Sequence, residues 1–186
     1  MKRTVMVFLA VLLALSMAAA HAEDAEAKPD GTVYDAYQAV MDESAMEGWR
    51  AVSYIEPSGL LLSAYTETAE ITVDLLERRE GGSYRAILEE QLNSVTRYGR
   101  VTASFGPDEW TGSPWGDGTG AHIRYRYMFL KGANTDDEYT TDVYIAPLND
   151  RYDCKVTLNS WGADAEGAVR DFEARMLPGL KLVNRK

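Results

Sequence analysis

The sequence predicts an α+β domain in which an antiparallel β-sheet carries helices packed on its faces. Two observations carry that reading. Three runs near the C-terminus, Ala121–Leu130, Tyr139–Ala146 and Tyr152–Trp161, alternate apolar and polar residues, the period of half-buried strands. Two other stretches repeat at helical spacing. One places Tyr84, Ile87, Leu88, Gln91, Leu92, Val95 and Tyr98 in register, and the other Ala165, Ala168, Val169, Phe172 and Met176. Each stripe is wide enough to lie on a sheet.

In chain order, the first 22 residues have the form of an export signal. Lys2 and Arg3 precede the apolar Val5–Leu15, and Ala20-His21-Ala22 is a small-x-small cleavage site, giving expected cleavage after Ala22. The apolar run is shorter than the ~20 residues a membrane span needs, although retention as an uncleaved anchor is the alternative. No lipid-acceptor cysteine follows the signal, so the expected location is secreted or extracytoplasmic. Residues 23–31, acidic and alanine-rich at their start, read as a flexible leader, and residues 32–186 as one domain. Asp30 is placed to cap a helix over Thr32–Met46, with Val33, Ala36, Tyr37, Val40 and Met41 on one face and Gly48 ending it.

Strands are expected at Trp49–Ile55, Leu60–Tyr65 and Ile71–Arg78, with turn chemistry in Glu56-Pro57-Ser58-Gly59. Ser83 is the candidate N-cap of the first strong helix, and Gly99 its left-handed C-terminal residue. Val101–Phe105 resumes as a strand. Gly106–Gly120 is the least regular stretch, with a short strand possible around Trp110–Thr111. The helix over Ala163–Leu177 is stopped by Pro178-Gly179, and Leu180–Val183 follows as a closing strand or an extended tail.

Register follows if each strand has one wet face. Setting Ile145 against Tyr152 across the Pro147–Arg151 turn places Asp142 opposite Lys155. Setting Phe129 against Tyr139 places Arg126 opposite Asp142. The expected result is a cross-strand cluster of Arg126, Asp142 and Lys155, supporting the sheet or serving as a binding face.

Charge and cysteine content narrow the function. Taking Lys2 and Arg3 from the 19 bases leaves 17 against 29 acids, a net charge of −12. That excess of acid argues against nucleic acid and anionic membranes as partners. Cys154 is the single cysteine, so no disulfide forms within the chain, and its place on an apolar face predicts an inert thiol. The mature chain has one histidine, His122, and lacks Cys-x-x-Cys, His-Glu-x-x-His and Gly-x-Ser-x-Gly spacings. Gly81-Gly82-Ser83 lacks the lysine of a phosphate loop, and Asp136–Glu138 lacks EF-hand spacing. No cofactor or metal and no catalytic residues are expected.

The order of elements resembles that of the PsbP-like and DcrB-like exported domains, a fold shared with a eukaryotic Ran-binding nuclear import factor. The likeness rests on strands around Trp49–Arg78, the Ile87-Leu88-Glu89-Glu90-Gln91-Leu92 helix, the Ala121–Trp161 meander and the Asp171-Phe172-Glu173 helix. It spans Trp49–Val183. It implies a sheet with helices on both faces and non-catalytic binding or scaffolding work. No site motif accompanies it, so no functional residue is carried over.

The expected function is therefore an exported, non-enzymatic binding or accessory domain with a protein or peptide partner. Its candidate face is Trp110 and Trp115 in the irregular loop, beside Arg124 and Arg126 on the neighbouring strand, although a large aromatic is more often packed than displayed and the pair then covers the core edge. The alternatives are a carbohydrate- or lipid-binding module using the same aromatics, and a hydrolase built on His122 and nearby acids.

Overall fold

The computed structural model describes residues 37–55, 60–78, 81–115, 118–131 and 137–184. The expected signal and leader lie outside them, as do the first five residues of the expected Thr32–Met46 helix and the Glu56–Gly59 turn. Within the described residues a seven-stranded antiparallel sheet forms in the order β2-β3-β4-β8-β7-β6-β5. Its strands are β2 (Arg50–Ile55), β3 (Leu60–Tyr65), β4 (Ala69–Glu77), β5 (Gly99–Trp110), β6 (Gly120–Phe129), β7 (Glu138–Pro147) and β8 (Tyr152–Trp161). Two further strands, β1 (Tyr37–Met41) and β9 (Leu180–Asn184), pair with each other.

Helix α1 (Tyr84–Val95) covers one face of the sheet. Its Leu88 and Val95 are buried against Ile123, Tyr125, Tyr127, Val143 and Ile145, so the stripe read from the sequence is the one that packs. The other face is covered by a helical segment made of α2 (Ala165–Asp171), a π-helical turn (Phe172–Met176) and α3 (Leu177–Gly179). Val169, Phe172 and Met176 sit there among Ile71, Val73, Tyr144, Cys154, Val156 and Leu158, and Ala39 of β1 and Leu180 of β9 join the same cluster. The α+β architecture with helices on both faces is thus the one expected. Pro178 does not stop the helix before itself: the helical turn runs on through Gly179.

Three expectations change. The stretch Tyr37–Met41 is a strand, not the middle of the expected Thr32–Met46 helix, because its backbone pairs with β9 from Tyr37↔Asn184 to Met41↔Leu180. Long-range pairing overrides a short apolar run whose spacing suits either state. Gly48, with φ 84°, ends a series of turns instead. Gly99 is not a left-handed cap. It opens β5 and lies so close to Tyr127 that an added Cβ would stand 2.9 Å from that ring. Ser83 holds the N-cap position without a side-chain capping bond.

The register also differs. In β7–β8, Ile145 faces Lys155 and Asp142 faces Leu158. In β6–β7, Arg124 faces Asp142 and Tyr127 faces Tyr139. The β7–β8 turn is tighter than assumed: Leu148 N–H donates to the Tyr152 carbonyl, and Asn149 Oδ1 accepts from the backbone of Arg151 and Tyr152. A single wet face was the wrong premise, because Thr140 to Ala146 are all buried. The expected trio therefore separates. Lys155 lies on the α1 side, 3.2 Å from Asp74, while Asp142 and Arg126 lie on the other side with different partners.

Cys154 is fully buried, and burial first, then the charges of Asp74 and Asp153, pushes its thiol up. It is the inert core residue the sequence implied. Close packing also makes Gly120 critical. An added Cβ would lie 2.2 Å from the Ile145 carbonyl and 2.8 Å from Ala146 Cβ. Gly120→Ala is expected to cost about 2–3 kcal/mol through overpacking, read as a lower urea midpoint with an unchanged slope.

Candidate functional site

The face covered by the C-terminal helix carries Trp110, Trp115, Arg124 and Arg126, the candidate face read from the sequence, together with His122, whereas Lys155 of the expected charge cluster lies on the other face. Strand periodicity puts His122, Arg124 and Arg126 of β6 on that side, beside Thr140, Asp142 and Tyr144 of β7. Asp142 is fully buried. Its Oδ1 lies 2.9 Å from His122 Nε2 and accepts from Arg124 Nε at 2.6 Å. Its Oδ2 has no hydrogen-bond partner among the described residues. A buried carboxylate is tolerable only when it is paired in this way.

Glu173 bridges the sheet to the helix above it. Its Oε1 accepts from Arg124 Nη2 and from the Tyr144 hydroxyl, each at 2.9 Å. Burial first, then the charges of Asp142 and Glu173, pushes the Tyr144 hydroxyl up, so it remains a donor. The His122 ring stacks on Tyr144 with centroids 4.2 Å apart.

Trp110, at the end of β5, packs on the other edge of Tyr144 at 5.1 Å, and Trp115 packs on Trp110 at 5.5 Å. Both indoles are partly buried against the core. The irregular stretch is therefore shorter than it read, since β5 continues through Gly106 to Trp110. The structure joins the tryptophan pair and the arginines in one strip, through Tyr144 and Glu173. Tyr144 and Glu173 were not among the nominated residues.

Beyond Arg124 the strip opens into a cleft of about 170 Å³ between the sheet and α2, lined by Arg124, Arg126, Thr140, Glu166, Val169, Arg170 and Glu173. An adjoining cleft of about 430 Å³ shares Arg126, Thr140 and Glu166 and extends past Glu138 and Gly162. Arg126 is loosely held. Its Nη2 is 3.4 Å from Glu166, its Nη1 is 4.0 Å from Glu138, and its Nε is buried without a partner among the described residues. Glu166, Arg170 and Glu173 escaped the sequence reading, although their spacing of four and three residues puts them on one helical stripe.

The arrangement holds charge better than it performs chemistry. The His122–Asp142 pair is half of a hydrolytic relay. However, Asp142 is shared with Arg124, and the hydroxyl in this network, on Tyr144, donates to Glu173. Among the described residues, no cluster of three histidine, cysteine or acidic side chains is arranged to hold a metal ion.

No protein-family profile matches the chain, and no curated protein matches it in sequence. Solved structures do resemble it. LpqN, involved in cell envelope biogenesis of Mycobacterium tuberculosis, superposes with a TM-score of 0.51 at 10% identity, over 79% of this chain and 84% of LpqN. The cyanobacterial PsbP of Synechocystis matches with a TM-score of 0.43 at 13% identity, over 83% of this chain and 96% of that one. A Mog1 variant matches with a TM-score of 0.40 at 14% identity, over 71% and 77%. The expected PsbP-like architecture is represented among these neighbours, and at such identities the likeness is one of fold alone. Among the described residues, no helix is long and apolar enough to cross a membrane.

Proposed function

We propose that this chain is an exported, non-catalytic accessory domain of the cell envelope or extracellular space. It holds a protein or peptide partner on the face that runs from Trp110 and Trp115 to Arg124 and Arg126. The observation that carries this reading is the continuity of that strip. Two half-buried indoles lead through Tyr144 and Glu173 to a cleft with three guanidinium groups. Aromatic and arginine side chains on a rigid sheet are the residue types that anchor protein interfaces. The export-signal pattern of the first 22 residues supports an extracytoplasmic setting. The fold shared with LpqN, itself involved in cell envelope biogenesis, is in keeping with it.

Crosslinked capture from extracytoplasmic fractions tests the reading. Alanine at both Trp110 and Trp115 is expected to reduce recovery of the partner at least about tenfold. Thermal unfolding of the same variant separates loss of binding from loss of fold. Asp108→Lys, at an exposed position two residues before Trp110 and on the same face of β5, alters the surface without removing an indole and is expected to weaken capture as well. Unchanged capture by both variants would contradict the assignment of this face.

A further inference from the structure

The double cleft beneath α2 has a charge pattern that specifies its ligand more closely than the surface reading does. The smaller cleft is lined by three arginines and two glutamates, Glu166 and Glu173. Arg124 is fully engaged, with bonds of 2.6 and 2.9 Å to Asp142 and Glu173. Arg126 and Arg170 are not. Arg126 makes no ion pair closer than 3.4 Å, Arg170 lies 4.0 Å from its acid, and both lean on the same exposed Glu166. One carboxylate cannot satisfy two guanidinium forks, each of which offers paired donors matched to a planar oxyanion. The Thr140 side chain lines the same cleft.

The lining selects the kind of anion. Arg124 is taken up by Asp142 and Glu173, and at the mouth of the smaller cleft Arg126 and Arg170 share Glu166, which leaves one guanidinium more than carboxylates there. That balance suits a monoanion and repels a phosphate dianion from Glu166 and Glu173. Past Arg126 the larger cleft turns acidic, with Asp137, Glu138 and Glu166 on its wall and Gly162 and Ala163 at its side. A chain entering from that end meets acids first and arginines last.

We infer that this furrow captures the C-terminal carboxylate of a peptide or protein whose preceding residues include a lysine or arginine. This rests on the binding-face reading and names the group that face recognises. The carboxylate sits between Arg126 and Arg170, and the basic side chain lies toward Glu138 and Glu166. Terminal carboxylate capture is a recurrent mode of peptide recognition.

Calorimetric titration of the intact chain with the tripeptide Ala-Lys-Ala, its C-terminal amide, Ala-Glu-Ala and inorganic phosphate tests the inference. The free acid is expected to bind, and the amide and Ala-Glu-Ala to bind at least about tenfold more weakly. Arg126→Gln and Arg170→Gln should each weaken the free acid by about tenfold. Arg170 is exposed, so its variant keeps the test valid if Arg126→Gln unfolds. Equal binding of the amide, tighter binding of phosphate, or indifference to both arginine variants would overturn the inference. If the tryptophan variants lose the captured partner while the arginine variants keep it, carboxylate capture fails and the binding face stands. If neither set changes capture, the face itself is wrong.

Discussion

Asp142→Ala is expected to destabilise the protein by about 2–3 kcal/mol, because it removes the buried carboxylate that holds the partly exposed Arg124 and His122. Asp142 is fully buried, and Arg124 Nε and His122 Nε2 both meet its Oδ1. After substitution His122 keeps its stacking on Tyr144 but loses its carboxylate. Arg124 keeps only Glu173, which is half-exposed and so offers a screened attraction. The loss should appear in urea unfolding as a lower midpoint. Because Arg124 borders the cleft, it should be accompanied by weaker binding there. A loss below about 1 kcal/mol would place Asp142 among ordinary surface ion pairs and contradict its burial.

Glu70 gives the second large effect, with the opposite sign. It is 6% exposed, and among the described residues its side chain accepts a bond from the Ser63 hydroxyl at 3.5 Å. Burial pushes its carboxyl from 4.5 up to about 7, and the weak bond from Ser63 opposes the rise without cancelling it. Between those two values the folded chain keeps a proton that the unfolded chain has released. Stability therefore falls as pH rises from 4.5 to about 7 and levels off above. The interval corresponds to roughly 3 kcal/mol. Glu70→Gln should remove this slope, so the variant gains on the wild type up to about that amount by pH 8 and gains little at pH 4. Parallel stability profiles for the two proteins would show that Glu70 ionises freely in the fold.

Much of this fold was legible because single elements bury stripes that local spacing reveals. Leu60–Tyr65 is a strand with the bounds expected of it, and Ile87, Leu88 and Val95 mark the packed side of α1. Relations between elements were less legible. Tyr37–Met41 becomes a strand only because Leu180–Asn184, at the other end of the chain, lies beside it. The register of β7 was misread because Asp142 and Thr140 look like solvent-facing residues and are instead roofed by the C-terminal helix.

The candidate site divides in the same way. Trp110, Trp115, Arg124 and Arg126 stood out by residue type, and the fold puts them on one face. Their connectors, Tyr144 and Glu173, depend on a contact between β7 and a helix nearly thirty residues later in sequence, which no local pattern records. Strand pairing, not that contact, puts Arg126 and Lys155, expected in one cluster, on opposite faces: the parity of the β7–β8 pairing decides which side each strand residue takes.

The central claim is that the partner lies on the helix-roofed strip and not on the α1 side of the sheet. The most direct test places a photo-crosslinking amino acid at exposed Asp108, which shares the Trp110 face of β5, and in a second protein at exposed Glu89 on the outer surface of α1. Crosslinks to a partner from position 108, with only background from position 89, are the predicted result. Crosslinks from position 89 with none from position 108 would contradict the account.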